Sequence, residues 1–258
     1  MLDKNLDKYA NKLVKAFLNN RIIAPLPNKY TKKISSAQKF RKLCESKIKK
    51  PIVGFKAAGT GIPVLKKLKE KEPFYATVYK HNVLKNKRSI KINKFTLGIE
   101  LEVFYKIKKN FFYSKKKITK KNIKKFISHI GSCIEVVGYR QKKKGISSLG
   151  DLCSDFGANI KFVLGPMKKF KNQNVNNLKT KIFNNKINQI TYGNTNTVYV
   201  NPINSLRFVL SKLQKDKIKF NEDFLIFTGS TVGVVPILGR GIYKGTISKL
   251  GSVLTKIS

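Results

Sequence analysis

The sequence predicts an α+β fold in which N-terminal helices precede a curved mixed β-sheet. Three observations predict it. The first fifty residues place apolar side chains at helical spacing. After Pro51 the chain changes to short β-branched and aromatic runs punctuated by glycine. Only two later segments, one after Thr119 and one after Pro202, return to the helical period. The chain of 258 residues therefore divides into a helical segment over 1–50 and one compact unit over 51–258, with no internal repeat and no flexible linker.

The elements follow in order. Leu6, Tyr9, Ala10, Leu13, Val14, Phe17 and Leu18 make residues 4–19 an amphipathic helix, ended before Pro25 and Pro27. Ser35 with Gln38 reads as a capping box for a second helix carrying Phe40 and Leu43. A strand from Pro51 to Phe55 runs into Lys56-Ala57-Ala58-Gly59-Thr60-Gly61, whose glycines permit a tight turn close to a ligand. Residues 95–107 form a strand bearing two acids. Thr119 caps an expected helix with Ile123, Phe126, Ile127 and Ile130 on its apolar face and Gly131 as its stop, and a strand with Glu135 follows. Ile160 to Leu164 is a short strand, and the polar stretch 171–197 holds exposed hairpins or loops. Pro202 opens a helix with Leu206, Val209, Leu210 and Leu213. Phe224 to Phe227 is a buried strand entering Thr228-Gly229-Ser230-Thr231, and the last twenty residues alternate glycine with β-branched residues as in a closing sheet.

Composition narrows the function classes. No run of 18 apolar residues exists, which predicts no membrane span. The start, Met1 to Asp7, has early acids and no apolar core, which argues against a signal peptide. Cys44, Cys133 and Cys153 are an odd number without metal spacing and read as free thiols of a reducing cytoplasm. His81 and His129 are too few for a histidine-rich metal site. The net charge of +42 invites a nucleic-acid reading. Against it, only six of the basic residues are arginine, the type suited to bidentate phosphate and base recognition. The lysines are also dispersed, in runs such as Lys115-Lys116-Lys117 and Lys120-Lys121, without an aromatic RNA-binding motif.

Against 55 basic residues stand 13 acids, and three of those interrupt apolar strands. They are Glu100 and Glu102 in Gly98-Ile99-Glu100-Leu101-Glu102-Val103-Phe104, and Glu135 in Ile134-Glu135-Val136. Side chains alternate along a strand, so Glu100 and Glu102 share a face. Two carboxylates that close do not both stay ionised unless a cation lies between them. All-oxygen ligands favour a hard ion, Mg²⁺ or Mn²⁺. Spacing alone leaves a second reading open: a strand with two solvated glutamates, or a pair satisfied by lysines.

Taken in order, several short blocks resemble the 2-keto-4-pentenoate hydratase branch of the fumarylacetoacetase-like superfamily. They are Gly54-Phe55-Lys56-Ala57-Ala58-Gly59-Thr60, the Glu100/Glu102 block, Ile134-Glu135-Val136-Val137-Gly138-Tyr139-Arg140, Ser154-Asp155, Val163-Leu164-Gly165, Asn201-Pro202 and Phe227-Thr228-Gly229-Ser230. The resemblance covers nearly the whole chain and implies a fumarylacetoacetase C-terminal-like fold. It implies Glu100, Glu102 and Glu135 as ligands of Mg²⁺ or Mn²⁺. Lys56 and Asp155 become acid/base candidates, with Asp155 holding Lys56 or water. His81 stands where some hydratases have an aspartate, so it is a third candidate or a structural histidine. Arg140 is either a structural partner for a carboxylate or a substrate clamp. Thr228 and Ser230 either contact a substrate carboxylate or only cap a strand end. The family usually has an acid and a small residue before the arginine, where this chain has Gly138-Tyr139, and an asparagine where it has Phe156.

The implied activity is a metal-dependent hydro-lyase that adds water to a 2-hydroxy-2,4-dienoate to give a 4-hydroxy-2-oxo acid. Within the superfamily, the same site serves decarboxylation of 2-oxo-3-enedioates and C–C hydrolysis of acylpyruvates. The expected partners are a small 2-oxo acid, other copies of the chain in a homo-oligomer, and polyanions without specificity. A basic nucleic-acid-binding protein or an inactive structural member of the fold are the readings of other classes. Contacts to phosphate by lysine carry no sequence information. Any nucleic-acid affinity is therefore expected to fall on the order of 10³-fold or more between 50 and 200 mM salt if about six phosphates are engaged. Filter binding at the two salt concentrations checks this; a sequence-selective complex that survives the higher salt contradicts it.

Overall fold

The protein is described by a computed structural model covering residues 4–114, 116–142 and 145–258. Met1–Asp3 of the N-terminal reading and Lys115 of the basic run lie outside the described residues. Three helices open the chain: α1 (Lys4–Leu18), α2 (Asn28–Thr31) and α3 (Ile34–Lys47). Ala10, Leu13 and Phe17 of α1 pack on Phe40 and Cys44 of α3, and Tyr79 and Phe156 from the later chain complete this small core. The proposed capping box is corrected here. Lys33 is the N-cap of α3, without a side-chain cap, and Ser35 lies inside the first turn. Helix α2 runs almost directly into α3, so the start is set by the Lys33 carbonyl, which accepts from Ala37 N at 2.9 Å.

The remainder supplies β1 (Ile52–Ala58), α4 (Ile62–Lys67), β2 (Phe74–Tyr79), β3 (Val83–Lys85), β4 (Ser89–Ile90), β5 (Thr96–Ile107), β6 (Ile127–Gly138) and α5 (Leu149–Ser154). Then come β7 (Asn159–Leu164), β8 (Lys168–Lys169), β9 (Lys179–Asn184), β10 (Gln189–Asn194), α6 (Pro202–Lys215), β11 (Phe224–Ser230), β12 (Gly241–Ile247) and β13 (Gly251–Ile257). The strands form two sheets rather than one. The larger has the order β2-β1-β11-β5-β6-β7-β3, with β8 added beside β6, and the smaller the order β10-β9-β12-β13-β4. Parallel pairing of β1 with β11 and of β3 with β7 makes the larger sheet mixed.

The long pair β5 and β6 is the spine of the molecule. Ile99, Leu101 and Val103 of β5 and Ile134 and Val136 of β6 face the smaller sheet, burying Tyr243, Ile247 and Val253. The alternate residues point to the other side, where Phe104 and Cys133 meet Phe162 of β7 and Phe227 of β11. Glu100, Glu102 and Glu135 belong to this second face by the same alternation. Helix α6 covers the flank with Leu206, Val209, Leu210 and Leu213, starting at Asn201, whose side chain accepts from Asn204 N. Among the described residues no helix is long and apolar enough to cross a membrane.

The expected helix after Thr119 is the main correction to the secondary structure. Thr119 and Asn122 do cap one another, through Asn122 N to Thr119 Oγ1 at 3.2 Å and Thr119 N to Asn122 Oδ1 at 2.8 Å. The helical run is one 3₁₀ turn, Ile123–Phe126, and Ile127 already belongs to β6. Ile127, Ile130 and Gly131 pair along β5, from Ile107 to Phe104. Gly131 is not a helix stop: a Cβ there would lie 2.7 Å from the Phe104 ring. A twelve-residue ladder outweighs a local apolar spacing that fits one helical turn.

Gly54 shows how tightly β1 meets β11. A Cβ on it would lie 2.0 Å from the Leu225 carbonyl oxygen. Gly54→Ala is expected to force the parallel pair apart and cost about 1–3 kcal/mol, the usual range for overpacking. Urea denaturation measures this; an unchanged midpoint would mean that the pairing is looser than described.

Candidate metal centre and active-site cleft

The sheet's curl builds the site. In the larger sheet, β11 and β5 lie between β1 and β6, so a flat sheet would hold β1 and β6 about 14 Å apart. Yet Lys56 Nζ on β1 donates to Glu135 Oε1 on β6 at 2.5 Å. Their side chains converge over the concave face. Lys56 is also held by the Gly157 carbonyl at 3.1 Å and lies 5.8 Å from the centre of the Phe162 ring. The Gly157 carbonyl is aimed by an unusual turn: Phe156, Gly157 and Ala158 all have left-handed φ angles of 54°, 69° and 57°.

Glu100 lies directly opposite Glu135 in the β5–β6 ladder, and Glu102 lies opposite Cys133 two residues along. The three carboxylates each bring an oxygen within 4.8 Å of the others. Glu102 Oε2 accepts from Gly229 N at 3.0 Å. Gly229 takes a φ of 104°, and a Cβ there would lie 2.1 Å from Thr60 Oγ1, so glycine alone fits this crossing of β11 and the Thr60 turn. Glu102 Oε1 and Glu135 Oε2 are buried without a hydrogen-bond partner.

Burial dominates the electrostatics. It pushes the Glu100 carboxyl up to about 7, with Glu135 adding repulsion and Lys56 opposing. Burial likewise raises Glu102 to about 7, against the pull of Lys56. Glu135 rises well above the usual carboxylate range, again chiefly from burial. For Lys56, burial alone would lower basicity, but Glu135, Glu102 and Glu100 together hold the ammonium above its ordinary value. Ionised, three carboxylates and one ammonium leave a local charge that a single divalent cation neutralises. Two orphaned buried carboxylate oxygens and an all-oxygen donor set fit a hard divalent metal.

Above the carboxylates opens a cleft of about 870 Å³. Lys56, Glu100 and Ser230 line it, with Thr60, Gly157 and Tyr139. Ser230 keeps its hydroxyl on the Gly233 carbonyl at 2.8 Å. The Thr228 hydroxyl donates to the Val103 carbonyl at 2.8 Å, so it secures β11 to β5 instead of facing the cleft. Asp155 and Arg140 do not line the cleft. The Asp155 carboxylate takes Arg140 N at 2.7 Å and Arg140 Nη1 at 3.1 Å, so it holds Arg140 and not Lys56. Arg140 Nη2 donates to the Asn159 carbonyl, and the guanidinium lies 4.6 Å from the Phe17 ring centre, which ties the helical segment to the sheet. Of its two readings, the geometry is that of a structural partner. His81 is exposed, 6.0 Å ring to ring from both Phe17 and Tyr79, and does not line the cleft. Desolvation and the charges of Lys161, Lys50 and Arg140 lower its basicity. The Gly157 carbonyl and the Gly229 amide were not legible as site groups, because main-chain atoms carry no sequence signal. Positive φ at Phe156 and Ala158 gave no warning either, since neither residue type favours it.

No protein-family model and no curated protein sequence matches the chain. Its fold, in contrast, is shared with solved enzymes of the fumarylacetoacetase superfamily. The structure of 4-oxalocrotonate decarboxylase from Pseudomonas putida G7, complexed with magnesium and adipate, matches with a TM-score of 0.86 at 16% identity, over 100% of this chain and 99% of that chain. The 5-carboxymethyl-2-hydroxymuconate delta-isomerase from Mycobacterium smegmatis matches with a TM-score of 0.58 at 14% identity, over 80% of each chain. A 2-hydroxyhepta-2,4-diene-1,7-dioate isomerase from Mycobacterium marinum gives 0.58 at 15% identity, over 81% of this chain and 76% of that one. The chain is thus α+β with the fumarylacetoacetase-like fold, the class expected from its sequence.

The raised carboxyls set a pH dependence. Folded Glu100 and Glu102 titrate near 7 against an ordinary 4.5. The folded state therefore binds more protons than the unfolded state between those values, and metal-free stability is expected to fall as pH rises through that window. The slope is on the order of 1.4 kcal/mol per pH unit for each carboxyl that titrates. Saturating Mn²⁺ should flatten it. Glu100→Gln and Glu102→Gln should each weaken Mn²⁺ binding, yet raise metal-free stability at pH 8 by removing a buried like charge. Glu135→Gln should weaken metal binding and also destabilise, because it strands the Lys56 ammonium. Calorimetric Mn²⁺ titration and thermal melts from pH 4.5 to 8 measure both; unchanged Mn²⁺ affinity in all three variants refutes the metal assignment.

Proposed function

We propose that the protein is a metal-dependent hydratase that adds water to a 2-hydroxy-2,4-dienoate to give a 4-hydroxy-2-oxo acid. One observation carries the reading: two buried carboxylates, Glu102 and Glu135, and the half-buried Glu100 converge beside a buried ammonium at the floor of a cleft. Glu100, Glu102 and Glu135 would hold Mg²⁺ or Mn²⁺. Bound there, the ion supplies Lewis-acid stabilisation of negative charge that develops on the 2-oxygen.

The chain's own residues do the rest. Lys56 is the one acid/base candidate that lines the cleft, so the proton transfer is assigned to its Nζ. As an ammonium it gives a proton to the far carbon of the dienol while the 2-hydroxyl gives its proton to solvent, which leaves a 2-oxo-3-enoate and a Lys56 amine that solvent reprotonates. Water then adds at C4 and C3 is protonated, completing the addition of H and OH across one C=C bond. Gly157, through its carbonyl, and Glu135 hold the Nζ against the floor of the cleft. Asp155 enters this proposal as a positioning residue: with Arg140 it anchors the chain on either side of the Gly157 turn.

A second reading, decarboxylation of a 2-oxo-3-enedioate, has its own support in the full-length likeness to the decarboxylase. The two are separated by product. With Mg²⁺ or Mn²⁺, the protein is expected to consume 2-hydroxypenta-2,4-dienoate, seen as loss of its absorbance with a product heavier by one water, and EDTA should abolish this. CO₂ release from 4-oxalocrotonate without hydration moves the protein to the decarboxylase reading. Lys56→Met should lower turnover by about 10²-fold or more, the contribution of a positioned acid, with Mn²⁺ affinity changed far less. A Met variant that turns over like the parent removes Lys56 from the chemistry.

A further inference from the structure

We propose that the cleft takes a monocarboxylic 2-oxo acid, or its dienol, whose far end is an alkyl or aryl tail, and that it discriminates against dicarboxylates. The proposal rests on the function proposed above for the head of the substrate and adds its tail.

The first observation is a depletion. Lysine and arginine account for 55 of 258 residues, about one in five. Of the 28 described residues that line the cleft, Lys56 alone is basic. Its ammonium is committed to Glu135 and the Gly157 carbonyl at the floor. A carboxylate carried past Lys56 to the rim would therefore leave water without meeting a cation among the described lining residues, which is costly for an ion. Three of the hydroxyls that line the cleft are already engaged. Ser230, Thr197 and Thr231 each donate to a main-chain carbonyl, those of Gly233, Asn194 and Leu101, at 2.8 Å.

The second observation is the rim. Val64, Leu97, Ile146, Tyr192, Val200 and Val234 stand among the exposed large apolar side chains, and all six line this cleft. Tyr192 is 72% and Val200 61% exposed. A grouped apolar surface on so basic a protein marks a binding region. The third is size: about 870 Å³ is near the upper end of small-molecule sites, roughly 300–1,000 Å³. A five-carbon acid leaves most of it empty. The rival occupant of the rim is a second copy of this chain. The rim opens into a concave cleft that runs down to Lys56, a shape that favours the small apolar ligand. The related decarboxylase, by contrast, is complexed with adipate, a dicarboxylate.

The test is calorimetric titration of the Mn²⁺-loaded protein with pyruvate, 2-oxohexanoate, 2-oxooctanoate and 2-oxoadipate. Affinity should rise with tail length, up to about fourfold per buried methylene. The dicarboxylate should bind about tenfold or more weaker than 2-oxohexanoate, since its second charge is buried unpaired. Leu97→Lys, which adds a cation at the rim, should narrow or reverse that preference. Equal binding of 2-oxoadipate and 2-oxohexanoate, or affinity flat with tail length while pyruvate still binds, overturns the proposal. So does dissociation of a homo-oligomer by Tyr192→Lys and Val200→Lys, seen by light scattering, with the tail preference untouched. Failure of pyruvate itself to bind strikes the head-group reading instead, so the two failures are told apart.

Discussion

The Lys56–Glu135 ion pair is the constraint around which the rest of the molecule is arranged. It joins strands that two others separate, so it exists only if the sheet curls and the curl persists. A buried pair of this kind gives little net stability, because desolvation offsets most of the attraction. Its value is positional. The smaller sheet presses on the outer face of β5 and β6, the phenylalanines of the inner face exclude water, and α6 braces the flank. The interior that results is dry enough to raise the carboxyls, and the same carboxylates keep Lys56 charged against that burial. Folding and chemistry thus draw on one arrangement: the burial that makes the acids uncomfortable also makes a divalent cation welcome.

The Arg140–Asp155 pair does separate work one layer away. Its donors reach the main chain at Asn159 and its ring contacts reach Phe17 and Phe156. That links the helical segment to the turn that carries Gly157. A residue two positions from the carbonyl on Lys56 is therefore held by a cluster that never touches the cleft. Departures such as Phe156 fit here: an aromatic ring at that position packs on Phe17 at 4.7 Å and sits below the guanidinium.

Much of the fold was legible because its strands announce themselves by acids in apolar runs, by glycine at crossings and by Pro202 at a helix start. The segment after Thr119 was misread for a physical reason: Ile123, Phe126, Ile127 and Ile130 satisfy helical spacing, while the strand partner that overrides it lies on β5, about twenty residues earlier. The division into two sheets was not legible either, since alternation shows which residues share a face but not which face meets which sheet. At the site, the three glutamates and Lys56 stood out because charge in a buried run needs an explanation. Asp155, Arg140, Thr228 and His81 were legible as unusual but not as to role. A buried pair and a catalytic pair look alike until partners are seen. The Lys56 contact with a main-chain carbonyl lay beyond any reading of residue types.

The left-handed turn at Phe156–Ala158 has an evolutionary consequence. Two residues with side chains are held in a conformation that costs on the order of 1–2 kcal/mol each. Glycine at either position would relieve that cost, so selection for heat resistance alone would favour it. The same change frees the segment whose carbonyl steadies Lys56, and at position 156 it also discards the ring beneath Arg140. Stability and a fixed ammonium therefore pull these three residues in opposite directions. Descendants of this chain that trade the strain away are expected to lose definition at Lys56 before they lose the fold.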